Sequence, residues 1–132
     1  KDHIKLGALS PTRDFNFIGA TCKAFISVAK SQKTVGEVIN SASNFEISIK
    51  KTALLILELM NSSIEIVSEE QRLRPSNSEV NRLFGSNKKI TSLTNWKPAY
   101  NNIEGFRKGL KITIEWFTNS QNLSLYKSSY VI

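Results

Sequence analysis

The sequence predicts an α/β domain shaped to pack against a larger sheet. Three observations lead there. Helix-like and strand-like stretches alternate along the chain, three helices are strongly apolar, and the strands between them are few and short. Asp14 to Ile18 alternates apolar and polar residues, with Phe15 and Phe17 on one side, and reads as a short strand. A helix follows, ending near Ser31. Cys22, Phe25, Ile26 and Ala29 recur at i, i+3, i+4 and i+7, so the spacing predicts that they form its buried face.

Glu37 to Ala42, after a turn at Gly36, reads as a short buried strand. Ser48 is placed to cap the next helix by accepting from a first-turn amide. That helix carries Ile49, Ala53, Ile56, Leu57 and Met60, widened by Leu54, Leu55 and Leu59, and closes at Asn61-Ser-Ser. Ile64 to Val67 is a further strand. Glu69 to Asn87 is polar, with Pro75 biasing Arg74 toward an extended backbone. A short helix over Lys88 to Thr94 precedes Trp96-Lys-Pro98. The last helix spans about Asn102 to Asn119 and buries Ile103, Phe106, Leu110, Ile114 and Phe117.

The 132 residues suit one domain, 1–132, with no repeat, low-complexity tract or linker to divide it. Apolar residues at 40% and charged residues at 22% are ordinary for a globular chain. No apolar run approaches a bilayer span, and residues 1–10 have no long apolar stretch, so a cytoplasmic protein without membrane contact is expected. One cysteine and one histidine, His3, exclude a disulfide framework and a Cys-rich metal site. The net charge of +7 would suit a nucleic-acid binder. The Lys and Arg residues are scattered, however, without a basic arm or recognition motif, so a single diphosphate-bearing ligand is the preferred use of that charge.

Three segments carry a resemblance. They are Arg13-Asp14-Phe15 within Leu9 to Ile18; Gly36-Glu-Val-Ile-Asn40 with Glu46-Ile-Ser48-Ile49; and Arg74-Pro75-Ser-Asn-Ser78-Glu79-Val80 running through Lys88 to Trp96-Lys-Pro98. Together they resemble the C-terminal substrate-binding lobe of extended short-chain dehydrogenase/reductases, the Rossmann-type NAD-dependent epimerase/dehydratase family. The third segment is most similar to the 4,6-dehydratases. Among these it is nearest to enzymes acting on UDP-N-acetylglucosamine in legionaminic-acid-type biosynthesis, with GDP-mannose 4,6-dehydratases next.

The resemblance implies a substrate site in which Arg13 and Arg74 approach the diphosphate and Phe15 lies beside the nucleotide. Glu79 would accept from ribose hydroxyls, and Ile49 would touch the base; Arg72 could assist. Arginine suits phosphate because its planar fork donates two parallel hydrogen bonds. Plainer readings stay open. Arg13 and Asp14 could form a surface pair, Arg74 and Glu79 could lie in a solvated loop, and Phe15 and Ile49 could be core. The family's Asp shortly after Arg-Asp-Phe is replaced here around Ala20-Thr21, so a lost helix cap costing about 1 kcal/mol is expected.

What is absent matters as much. No strand opens into a glycine-rich turn and helix, and no Tyr-x-x-x-Lys exists, since Tyr100 precedes Glu104 and Tyr126 precedes Tyr130 at that spacing. No catalytic, cofactor-binding or metal residue maps onto the chain. The resemblance thus implies a lobe whose N-terminal dinucleotide-binding core is missing. NAD would serve the complete, dimeric enzyme and not bind this chain alone. Truncation is the first expectation, a subunit working with a separate cofactor-domain chain the second, and a nucleic-acid module a distant third.

Overall fold

The computed structural model describes residues 3–73, 75 and 78–125. Its elements run in the order β1 His3–Leu6, β2 Thr12–Arg13, α1 Ile18–Lys30, β3 Ile47–Ser48, α2 Ile49–Leu59, β4 Glu65–Ser68, β5 Arg82–Leu83, α3 Lys88–Leu93, α4 Ile103–Thr118 and α5 Ser120–Ser124. Single 3-10 turns occupy Gln32–Thr34 and Glu70–Arg72. β1 and β4 pair in parallel, with His3 opposite Glu65. The second sheet has the order β3-β2-β5, with β2 antiparallel to β3 and parallel to β5.

Helix capping follows the sequence where the right oxygen is available. Ser48 accepts from the Lys51 amide at 3.2 Å and Asn102 from the Gly105 amide at 2.8 Å. Asn61 closes α2 in the left-handed region, at φ 50°. α1 begins at Ile18 with Phe17 at the cap position and no side-chain cap. The cap lost relative to the family pattern is therefore not replaced by Thr21.

Two small cores hold these elements together. Ala24, Ile90 and Trp96 are packed with Val28 and Ile39, joining α1 to α3 and the loop behind it. Ile47, Leu55 and Phe106 are packed with Phe45, Leu59 and Leu110, joining β3, α2 and α4. Trp96 also donates its indole N–H to the Ala20 carbonyl at 3.0 Å, satisfying its one polar atom inside the core.

Four sequence expectations are corrected. The strand predicted over Asp14–Ile18 lies at Thr12–Arg13: the Asp14 amide still donates to Leu83 of β5, but its side chain turns to the loops, and Phe17 already stands at the cap of α1. Cys22 is exposed, as are Phe25 and Ile26; α1 buries Ala20 and Ala24 instead. Glu37–Ala42 is not a strand, since among the described residues no neighbouring strand supplies the ladder. On α4, Phe106 is buried, whereas Ile103 and Phe117 are exposed. β1 and β5 were not foreseen.

Candidate functional site

β2 sits in the middle of its sheet, so its residues are held from both sides. Adjacent strand residues face opposite ways. Thr12 shares a face with its register partners Ser48 and Arg82, and Arg13 shares the other face with Ile47 and Leu83. On the Thr12 face, Arg82 makes a two-pronged contact with Glu46, at 2.6 and 2.9 Å, and lies over the Phe84 ring. Thr12 donates to the same carboxylate at 2.9 Å.

The Arg13 face holds the candidate site. Arg13 Nη1 donates to the Thr12 and Val80 carbonyls, each at 2.8 Å, and Nη2 lies 3.4 Å from Glu79 Oε1. Both side chains are only 19% exposed. The carbonyl contacts aim the guanidinium, while the long contact to Glu79 is weak enough to be exchanged. Two predicted site residues separated by 66 positions thus meet in space. The Arg13–Asp14 surface pair is not what forms.

Asp14 has a different task. Its Oδ1 accepts from the Ser43 amide and hydroxyl at 2.9 and 2.5 Å, and its Oδ2 accepts from Asn44 at 3.0 Å and Gly85 at 3.4 Å. One carboxylate therefore ties the segment after β2 to two loops. Sequence reasoning missed this role, because it needs three segments distant in the chain.

Phe15 stacks on Phe106, with ring centroids 5.8 Å apart. It lines an apolar cavity of about 280 Å³ with Phe17, Ile56, Tyr100 and Leu110. Asn16 also lines that cavity; its Nδ2 donates to the Ser41 carbonyl, while its buried Oδ1 has no hydrogen-bond partner among the described residues. Ile49 opens α2, and its amide is taken by the Pro11 carbonyl at 3.0 Å. Lys50 N reaches Leu9 O and Lys51 N reaches Ser48, so the amides at the start of α2 are spoken for. Arg72 pairs with Glu69, which also binds Lys5, away from Arg13 on the β1–β4 side. Arg74 lies outside the described residues.

In the strand–turn–helix of β5, Gly85 and α3, a Cβ on Gly85 would stand 2.4 Å from the Ala42 Cβ. The space that this glycine frees is filled by Ala42, which leaves no room for a pyrophosphate at that turn. Among the described residues, no group of three His, Cys, Asp or Glu side chains could hold a metal ion, and no helix is long and apolar enough to cross a membrane.

Three carboxyls are held below their ordinary value. Glu46 is lowered by hydrogen bonds from Arg82, then Thr12; Glu58 by Arg107; and Glu69 by Lys5, then Arg72. Because these values fall on folding, their stabilisation is present above the ordinary value of 4.5 and is lost as pH drops below it. The urea midpoint should hold level down to about pH 5 and then fall, with Glu46→Gln reducing the slope. An acid-side curve unchanged in that variant would contradict the assignment.

Residues 1–109 match the family model for GDP-mannose 4,6 dehydratase. The chain belongs to that family, within the extended short-chain dehydrogenase/reductases. A UDP-N-acetyl-alpha-D-glucosaminuronate decarboxylase from Bacillus cytotoxicus is 30% identical, over 92% of this chain and 37% of its own length. An epimerase of Methanothermobacter thermautotrophicus superposes with a TM-score of 0.80 at 26% identity, over 92% of this chain and 34% of its own. A dTDP-glucose 4,6-dehydratase from Bacillus anthracis, solved with NAD, has a TM-score of 0.76 at 22% identity, over 91% of this chain and 36% of its own. The chain therefore spans about a third of the length of the relatives it matches, and its fold is that of a partial member of this family.

Proposed function

We propose that this chain is the nucleotide-sugar-binding portion of an NAD-dependent 4,6-dehydratase, acting on UDP-N-acetylglucosamine and catalytically silent by itself. The meeting of Arg13 and Glu79 supports the reading. A nucleoside diphosphate needs a delocalised cation at its phosphates and an acceptor at its ribose, and these two residues offer both within one contact. Ligand entry exchanges that weak pair: the outer guanidinium edge turns to a phosphate oxygen, and Glu79 accepts from ribose hydroxyls. Phe15 and Ile49 flank the nucleotide, and Arg74 is the second guanidinium. NAD, which takes and returns hydride in the complete enzyme, binds outside these residues. A dimer and a cytoplasmic location belong to the same proposal.

Calorimetric titration with UDP-N-acetylglucosamine tests it, with GDP-mannose and dTDP-glucose as comparators. Arg13→Ala should weaken UDP-sugar binding by about tenfold or more, since hydrogen bonds to charged groups contribute about 1.5–3 kcal/mol. Arg13→Lys should recover part of the loss, keeping the charge without the fork. Equal affinity in all three proteins, or tight NAD binding by this chain, would overturn the reading.

A further inference from the structure

The sheet that carries Arg13 is too small to hold its own register. β2, β3 and β5 have two residues each, whereas strands usually run to about three to ten. Their ladders set Thr12 between Ser48 and Arg82, and Arg13 between Ile47 and Leu83. Register is ordinarily fixed by an apolar face turned to a core. Ile47 does this for β3, but both residues of β5 are exposed, Leu83 at 52%. A slip of one residue would move the Val80 carbonyl by about 3.3 Å along β2 and carry Arg82 away from Thr12. Arg13 would then lose one of the two acceptors that aim its guanidinium.

The lock lies on the opposite face. Glu46 immediately precedes β3, and its carboxylate accepts from the Thr12 hydroxyl of β2 at 2.9 Å. It also accepts from Arg82 of β5, through Nη2 at 2.6 Å and Nε at 2.9 Å. Among the described residues, Glu46 is the one side chain bonded to both β2 and β5. These contacts need Thr12 and Arg82 side by side, which is the observed register. The two-pronged geometry is demanding, so a shifted strand would not satisfy it. The Phe84 ring, centred 4.9 Å from the guanidinium carbon of Arg82, further restricts that side chain. Asp14 ties down the loops beyond the strands instead.

We propose that Glu46 and Arg82 are positioning residues for the nucleotide-sugar site: their pair, with Thr12, fixes β5 against β2 and so holds Arg13 and Glu79 together. They stand on the face turned away from Arg13 and act through the strands. The ligand side of this inference rests on the functional reading above, whereas the register lock is a property of the free chain. An exposed ion pair contributes little to overall stability, so the effect is local. Without the lock, the convergent arrangement becomes one register among several, and apparent affinity falls with the fraction of chains that keep it.

Arg82→Met, which keeps the stem without the fork, and Glu46→Gln test this, with Arg107→Met as the control. Arg107 makes the same kind of pair with Glu58, between α2 and α4. In the unliganded wild type, the Arg13 Nη protons should give resolved NMR signals, because two carbonyls hold the guanidinium. The Thr12 and Asp14 amides, bonded to Asn81 and Leu83, should be protected from exchange. Arg82→Met and Glu46→Gln should each merge the Arg13 signals and expose both amides, while the thermal midpoint moves little. Each should bind UDP-N-acetylglucosamine about tenfold more weakly, as expected when about a tenth of the chains stay competent. Arg82→Lys should recover part of the loss, and Arg107→Met should match the wild type throughout. Arg13 signals and amides unchanged in both variants would overturn the proposal. Equal losses in Arg107→Met would do the same, marking a general softening. Should a variant fail to fold, Thr12→Val, which removes one donor alone, must show the same changes at smaller amplitude. A wild-type chain that ignores UDP-N-acetylglucosamine would sink the substrate reading only, and the Arg13 signals would still decide the lock.

Discussion

Trp96→Ala is expected to destabilise the chain by about 3–5 kcal/mol, the range for emptying a buried large aromatic site. Trp96 is 4% exposed, fills the core shared with Ala24 and Ile90, and bonds Ala20 through its indole N–H. Two losses coincide: the cavity left by the ring, and a carbonyl deprived of its extra donor. Domains commonly hold only about 5–15 kcal/mol in total, and this one has small cores. The variant should therefore be largely unfolded in dilute urea by circular dichroism. Trp96→Phe should lose less, keeping most of the apolar contact but not the hydrogen bond. A change under about 1 kcal/mol for the alanine variant would show that the core does not depend on this side chain.

The second large effect is at Asp14. Asp14→Asn keeps the shape but places an NH2 where an acceptor stands. Whichever way the amide is turned, it faces amide donors, either Ser43 or Asn44 and Gly85. Removing the charge from four donors, with Ser43 1% exposed, should cost on the order of 3 kcal/mol. It should also loosen the chain beside Arg13, so UDP-sugar affinity should fall even at temperatures where the variant stays folded. Hydrogen exchange would separate the two effects, since the amides of 43, 44 and 85 should lose protection first. If those amides stay protected, the carboxylate does not organise the loops.

Some of this was legible in the chain. Ser48 and Asn61 mark the ends of α2, because a hydroxyl cap and a left-handed Asn are local devices that need no distant partner. The stripes of α2 and α4 gave their approximate spans for the same reason. Among the site residues, Arg13, Phe15 and Glu79 were chosen through motif resemblance, and the structure adds the meeting of Arg13 with Glu79. The roles of Asp14 and of Arg82, paired with Glu46, were hidden, because each depends on strand register between remote segments.

The helical case is instructive. Periodicity places Cys22, Phe25, Ile26 and Ala29 on one face of α1, and it does so correctly. What it cannot say is whether that face is covered within this chain, since an apolar stripe has the same spacing whether it is buried or exposed. By itself, the sequence determined the α/β class, the approximate spans of α1 to α4, the Ser48 cap, the family motifs and the lack of a glycine-rich cofactor turn. The tertiary structure alone decided that Arg13 meets Glu79, that Asp14 joins three segments, and that α1 buries its alanines. Local periodicity and capping are properties of neighbouring residues, whereas contacts across 66 positions exist only once β2 is paired on both sides.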